Sequence, residues 1–251
     1  MAFDERSFPD RRKRSHTAMA GVIRPLLLRR RRRPDVNCPH MTFDRDRTTR
    51  SYHHGNLREA MVQAALRLIN EHGPAGFSFA EVARLVGVSG AAPYRHFRDR
   101  NALMAEVARQ GFIRFADELS AAWKEGKPNA VRALENCGRA YLSFARREPA
   151  AYAAMFEPGV SVDEFPELAA AADRAFAVLR GAAEAAVGTL PVGKRPPVLM
   201  VALHIWSLSH GIAALFVGGP GGLRRKLPMT PEDLLEAGVL IYLQSLGVVA
   251  A

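Results

Sequence analysis

Cysteine is scarce in this 251-residue chain, and its scarcity excludes two kinds of architecture. The two cysteines, Cys38 and Cys137, form neither a CxxC pair nor a cluster with histidine. They therefore predict no disulfide framework and no metal site, and a reducing cytoplasm is the expected compartment. We interpret Cys137 as an inert core side chain rather than a redox switch.

Long apolar runs and strand-like alternation are also missing from the pattern. We find no run of the roughly 18 apolar residues that a membrane span needs, and Val22–Leu28 is short and interrupted by Arg24 and Pro25. No long apolar segment follows the basic residues, so no secretory signal peptide is predicted. The missing apolar run predicts a protein that does not contact a membrane. Alanine is abundant and β-branched runs are scarce, which predicts an all-α protein.

Positive charge is concentrated at one end of the chain, whose net charge is +10. Residues 1–40 carry 11 basic and 4 acidic side chains, residues 41–111 carry 10 and 7, and residues 112–251 carry 14 of each. The whole basic excess thus precedes residue 112, which predicts an anionic partner for the N-terminal part alone.

Residues 1–46 are polar and rich in arginine, with basic runs at 11–14 and 29–33 and no apolar periodicity. We expect a disordered extension there. Met41 is an alternative start, which would leave residues 1–40 untranslated. If the extension is present, it also suits a basic arm that adds non-specific affinity for DNA.

Two short helices joined by a tight turn are the central motif. Apolar residues at three-to-four spacing predict a first helix from Asn56 to His72, and Ser78 with Glu81 forms a capping box for a second. Ala83 is small where the two helices of a helix-turn-helix cross, and Gly87 accepts the left-handed turn. Ser89 is expected to cap a third helix that runs to Phe97.

The third helix would present a face of small residues to the major groove of DNA. This outer face consists of Gly90, Ala91, Ala92 and Arg95, where alanine methyl groups can meet thymine and Arg95 can donate to guanine or phosphate. Phosphate contacts that position the protein are expected from Tyr94, His96 and Arg100. Pro93 and Phe97 lie four residues apart and are expected to face inward. The alternative is a helical hairpin inside an ordinary core, but caps, turn and core positions all agree with a helix-turn-helix.

The same stretch resembles the TetR/AcrR family of transcriptional regulators from Tyr52 to about Phe112. The resemblance rests on Tyr52-His-His-Gly-Asn-Leu-Arg, on Glu-Val-Ala-x3-Gly-Val-Ser and on Tyr94-Arg-His-Phe-x-Asp-Arg. It adds Tyr52, Ser78 and Ser89 to the expected DNA-binding residues. Pro93 departs from the aliphatic residue usual in the family and removes a backbone N–H in the first turn.

The remainder is predicted to be helical, with helices near residues 100–122, 129–147, 149–156, 165–187, 197–217 and 231–246. Asp99 is expected to cap the first of these helices. The segment His204-Ile-Trp-Ser-Leu-Ser-His-Gly is similar to the TetR subgroup with a Trp…His-Gly signature, which implies a domain for effector binding and dimerisation. The expected organisation is a basic extension (1–46), a helix-turn-helix domain (47–98) and a helical effector domain (99–251). The resemblance implies that the last two helices pair with their symmetry mates, and the expected contacts are Trp206, Leu240 and Leu243.

An effector pocket is expected among aromatic and histidine side chains of the C-terminal part, although plain core packing is the alternative for each. The candidates are Tyr141, Phe144, Tyr152, Phe156, Phe176, His204 and His210. No nucleophile–base pair, paired carboxylates or phosphate loop is found, so neither a catalytic site nor a cofactor is predicted.

The sequence thus predicts a homodimeric repressor that binds a palindromic double-stranded DNA operator and releases it when a small molecule binds. The fourth helix, about residues 100–122, is expected to carry the signal. The two rival interpretations are a helical enzyme and a nucleoid protein driven by the arginine-rich extension.

Overall fold

A computed structural model describes residues 57–156, 160–217 and 228–250. All regular structure in these ranges is helical, which confirms the predicted all-α class. The 1–46 extension, Tyr52 and Asn56, the expected start of the first helix, lie outside the described residues. The α-helices are α1 (Leu57–His72), α2 (Phe79–Val86), α3 (Arg100–Trp123), α4 (Ala130–Arg147), α5 (Pro149–Met155), α6 (Pro166–Val187), α7 (Val198–Val217) and α8 (Pro231–Ser245).

The predicted signals around α2 are present as expected. The Ser78 hydroxyl accepts from the Glu81 backbone N–H at 3.3 Å, and the Glu81 carboxylate accepts from the Ser78 N–H at 2.7 Å. This capping box satisfies N–H groups that the helix itself leaves free. Gly87 ends α2 with φ +77°, a left-handed conformation that glycine adopts without steric cost. Ala83 is buried, as a helix crossing requires.

The predicted third α-helix from Ser89 to Phe97 is wrong. We call Ser89–Phe97 the recognition segment; it contains a turn, in which the Ala92 N–H donates to the Ser89 carbonyl at 3.0 Å, followed by a 3₁₀ turn at Pro93–Arg95. Pro93 has no N–H to donate to Ser89, so the α-helical ladder cannot start there. Only the Phe97 N–H makes an i to i−4 bond, to the Pro93 carbonyl at 3.0 Å.

Helix α3 connects the recognition segment to the rest of the molecule. The Asp99 carboxylate caps it by accepting from the Ala102 N–H at 2.7 Å, as predicted. Its 24 residues extend about 36 Å and pack against α1, α4, α5 and α6. Helix α5 packs on both α1 and α3. A rearrangement among α4–α6 can therefore reach the helices that hold the recognition segment.

Helix α7 corrects the expectation that no apolar run is long enough to span a membrane. Val198–Phe216 passes by length and composition, with a mean hydropathy of 1.7. The core helix of a globular protein can meet the same test, and α7 packs against α4, α6 and α8. Only 33% of this window is buried among the described residues, so packing accounts for part of its apolar character and exposed apolar side chains remain.

Candidate nucleic-acid interface and ligand cavity

The recognition segment presents the predicted outer face to solvent. Ser89, Gly90, Ala91, Arg95 and His96 are exposed. Ala92 is half-buried, Ser78 is exposed, and Tyr94 is 61% exposed. Small side chains at the tip leave the backbone accessible to a groove about 12 Å wide.

The inner face of the segment is anchored by packing. Pro93 is fully buried and Phe97 is 4% exposed, which confirms the predicted inward positions. The Arg58 guanidinium lies 5.0 Å from the centre of the Phe97 ring. The Tyr94 ring meets Phe79 edge to face at 5.0 Å between ring centres. These contacts hold a short non-α segment in a defined position.

Two exposed arginines give this surface its positive charge. Arg84 on α2 and Arg95 make no ion pair with the described residues, whereas Arg98 pairs with Asp99 and Glu164. Sequence reasoning missed Arg84, although it lies on the side of α2 opposite the buried Val82 and Ala83. Leu85 beside it is 52% exposed and was also missed.

Arg100 has a different environment from the predicted phosphate contact. Its Nε donates to the Phe77 carbonyl at 3.2 Å, and its Nη2 donates to the Pro74 carbonyl. Its guanidinium also lies 4.6 Å from the centre of the Phe77 ring. The side chain therefore fixes the loop between α1 and α2, because its donors bind protein carbonyls rather than facing outward.

Replacing Arg100 with Ala is expected to lower the free energy of unfolding by about 1–2 kcal/mol, since two hydrogen bonds to backbone carbonyls are lost. The slope of DNA affinity against salt should stay unchanged. Thermal unfolding and salt-dependent DNA titration measure the two effects, with Arg180→Ala, at an exposed residue of α6, as the control. Unchanged stability together with a slope smaller by about one would restore the phosphate-contact interpretation.

A buried carboxylate ties α1 to α3 below this surface. The Glu106 side chain is 4% exposed and accepts from Arg58 at 2.9 Å, from Arg109 at 2.8 Å and from Gln110 at 3.0 Å. Burial alone raises its pKa, but the donors from Arg109, Arg58 and Gln110 outweigh burial and lower the pKa from 4.5 to about 2. The pattern of the sequence did not reveal this cluster, since Arg58 is 48 residues from Glu106.

An apolar cavity of about 370 Å³ lies among α3, α4, α6 and α7. Three of the predicted pocket residues, Tyr141, Phe156 and Phe176, line it together with Trp206. The remaining lining residues are Phe112, Phe115, Leu119, Leu134, Cys137, Gly138, Met155, Val162, Ala172, Asp173, Ala175, Val178, Leu179, Leu203, Ile205 and Ser209.

The other predicted pocket residues do not line this cavity. Phe144 is fully buried and packs on Phe115, so it is a core residue. His204 is exposed and stacks on Tyr242 of α8 at 3.8 Å between ring centres. Tyr152 and His210 do not line the cavity but contact Phe156, which does. The apolar pattern could not distinguish these positions, since it shows that a residue is covered but not what covers it.

A polar cluster joins three helices beside the cavity. The Tyr152 hydroxyl lies 2.8 Å from His210 Nδ1, and the Tyr141 hydroxyl lies 3.0 Å from the same atom. Burial raises the pKa of Tyr152 to about 12, raises that of Tyr141 and lowers that of His210. All three groups are therefore neutral near pH 7, and they link α4, α5 and α7 through hydrogen bonds without charge.

Comparison with known families gives the decisive observation. Residues 61–107 match the family described as "Bacterial regulatory proteins, tetR family", and residues 134–241 match "Tetracyclin repressor-like, C-terminal domain". The chain belongs to the TetR family. The first match contains α2 and the recognition segment, and the second contains most of the residues that line the cavity.

The curated relatives that the chain matches are named as HTH-type transcriptional regulators. The chain is 29% identical over 113 residues to the HTH-type transcriptional regulator BetI of Rhizobium meliloti (strain 1021), which covers 44% of this chain and 56% of that protein. The chain thus spans about half the length of the curated relatives it matches.

Solved structures share the fold. A protein of unknown function from Rhodococcus sp. RHA1 has a TM-score of 0.62 and 28% identity, covering 78% of this chain and 98% of that one. AibR in complex with isovaleryl coenzyme A and operator DNA has a TM-score of 0.56 and 20% identity, covering 74% and 97%. At that identity the second likeness shows the fold alone.

The residues predicted to form a TetR-type dimer contact occupy three different environments. Leu243 is fully buried within its own chain, and Trp206 lines the cavity, so neither faces outward as expected. Leu240 is 36% exposed. We call the exposed large apolar side chains of α7 and α8 the apolar face; they are Leu199, Met200, Leu203, Leu215, Leu240 and Ile241.

Proposed function

We propose that this chain is a homodimeric repressor that binds a palindromic operator and releases it when a small molecule enters the cavity. The observation that carries the proposal is the recognition segment. Its outer residues Ala91 and Arg95 are exposed while Pro93 and Phe97 anchor it from within. The match to the tetR family over residues 61–107 supports the same role.

The proposed dimer uses the apolar face of α7 and α8. Exposed Leu and Ile side chains grouped on two adjacent helices favour burial against a second copy. A twofold contact would place two recognition segments about 34 Å apart, which is one turn of DNA. Leu240 keeps its predicted role, and Ile241, which is 67% exposed, replaces Leu243 as the central contact.

Replacing Ile241 with Glu is expected to convert the dimer to a monomer and to weaken operator binding at least about 100-fold, because a buried unpaired charge opposes association. Sedimentation gives the mass and a DNA titration gives the affinity. Val192→Glu introduces the same charge at an apolar residue that is 81% exposed outside α7 and α8. A dimeric Ile241→Glu protein would contradict the assigned face.

Two connections are proposed to carry the signal from the cavity. Helix α3 contributes Phe112 and Phe115 to the lining and begins directly after the recognition segment. The 3₁₀ turn Val162–Glu164 is the second connection, since Val162 lines the cavity while the Glu164 carboxylate accepts from Arg98 at 3.3 Å. Arg98 also lies 5.3 Å from the ring centre of Phe165.

Filling the cavity with Ala172→Trp is expected to mimic an effector and to weaken operator binding about tenfold, within the usual range of coupling between sites. Adding Glu164→Ala should recover part of that loss, because the contact with Arg98 is removed while the connection through α3 remains. Operator titrations of the single and double variants measure this, with the exposed Ala170→Trp as control. Equal affinities for Ala172→Trp and Ala170→Trp would exclude the cavity from regulation.

The subgroup, the domain boundary, the absence of catalysis and the cellular compartment are further parts of the proposal. Trp206 and His210 both turn toward the aromatic groups beside the cavity, which supports the Trp…His-Gly subgroup. The domain boundary at residues 98 and 99 stays a prediction. We propose a regulator without catalytic activity that works in the cytoplasm. AibR, whose complex holds both an acyl coenzyme A and operator DNA on a similar fold, supports ligand-controlled DNA binding.

Protection of DNA near the gene for this chain is the direct test. We expect two protected half-sites related by a twofold axis, and Arg95→Ala should change the preferred sequence. Deleting residues 1–46 should leave the operator preference intact. Loss of all preference on deletion, or uniform coverage of random DNA, would favour the nucleoid protein instead.

A further inference from the structure

We propose that the cavity binds a lipophilic monocation, in which a positively charged head lies near Asp173 and an apolar body lies among aromatic rings. This inference rests on the proposed function, in which the cavity is the effector site, and it names the chemical class of the effector.

Aromatic rings dominate the cavity wall. The six that line it are Phe112, Phe115, Tyr141, Phe156, Phe176 and Trp206. The face of an aromatic ring carries partial negative charge, and it attracts a cation most strongly where water is excluded. Together with aliphatic residues such as Leu119 and Ile205, these rings suit an apolar body.

The charge of the lining opposes an anion. Asp173, an exposed residue of α6, is the one carboxylate among the described lining residues, and they include no Lys, Arg or His. Its neighbour Arg174 binds Asp117. A carboxylate or phosphate drawn from water would meet no positive partner among these side chains and would approach Asp173. The described wall therefore selects against fatty acids and coenzyme A esters.

The hydroxyl and thiol groups of the lining already have partners inside the protein. The Ser209 hydroxyl donates to the Ile205 carbonyl at 2.9 Å, and the Cys137 thiol lies 3.6 Å from the Leu119 carbonyl. The Tyr141 hydroxyl lies within hydrogen-bond distance of Tyr152 and His210. A neutral ligand with a strongly polar head would have to displace these bonds, whereas a cationic head can use the Asp173 carboxylate directly.

Direct binding to the dimer tests this selection. Trp123 and Trp206 are the two tryptophans of the chain, so Trp123→Phe leaves Trp206 as a fluorescent reporter in the cavity wall. The probes are phenylbutyltrimethylammonium, its uncharged isostere with a tert-butyl head, and phenylhexanoate. We expect the cation to bind at least about fivefold more tightly than the isostere, and the anion to bind most weakly.

Asp173→Asn in the same background should bring the affinities of cation and isostere to within about twofold. Glu184→Gln, which makes the same charge change at an exposed position of the same helix, should keep the full ratio. The inference is overturned if the isostere or the anion binds as tightly as the cation, if Asp173→Asn preserves the ratio, or if none of the probes binds. The DNA-protection experiment needs no ligand, so normal protection with no preference for the cation contradicts the ligand class alone.

Discussion

Replacing Ala91 with Glu is expected to abolish specific DNA binding. The affinity for the operator should fall at least about 100-fold, or about 3 kcal/mol. Ala91 is exposed at the tip of the recognition segment, next to Gly90. A glutamate there adds bulk where the segment must enter the groove, and it brings a negative charge toward the phosphates. The side chain replaces no buried contact, so the unfolding temperature should stay unchanged.

The control for this variant is Ala177→Glu, an exposed alanine of α6 that receives the same side chain and the same charge. It should bind the operator as the parent does, apart from a small general effect of charge. The measurement is an operator titration at fixed salt, with unfolding followed in parallel. Full operator affinity in Ala91→Glu would show that a surface other than the recognition segment contacts the DNA, contrary to what the resemblance to the TetR family implies.

Glu106→Gln is expected to lower the free energy of unfolding by about 2 kcal/mol, because two arginines lose a buried charged partner. The folded-state pKa of Glu106 is lowered from 4.5 to about 2. The stability due to its ionised form is thus complete above pH 4.5 and is lost as the pH falls toward about 2. The variant should lack this acid-dependent component, so the difference between the two proteins shrinks at low pH.

Denaturant unfolding at several pH values measures this difference. Glu125→Gln serves as control, since that carboxylate is 85% exposed and pairs with Lys127 alone, so about 0.5 kcal/mol or less is expected. A loss in Glu106→Gln that is the same at pH 7 and pH 3 would show that ionisation of this carboxylate does not stabilise the contact between α1 and α3.

The sequence alone determined the helical class, the approximate bounds of the helices and the position of the helix-turn-helix. These features depend on short-range chemistry: Ser78 and Glu81 cap α2, Gly87 accepts φ +77°, and Asp99 caps α3. The inward positions of Pro93 and Phe97 followed from their spacing of four residues. The concentration of basic charge at one end was likewise readable without coordinates.

Only the tertiary structure decided which partners the side chains have across long distances in sequence. It placed Arg100 on the carbonyls of Pro74 and Phe77, Glu106 between two arginines, and Leu243 inside its own chain rather than on the apolar face. It also showed a 3₁₀ turn where a helix was expected. Helical periodicity indicates which face of an element is covered, but packing of distant helices determines whether the cover is core, cavity or a second molecule.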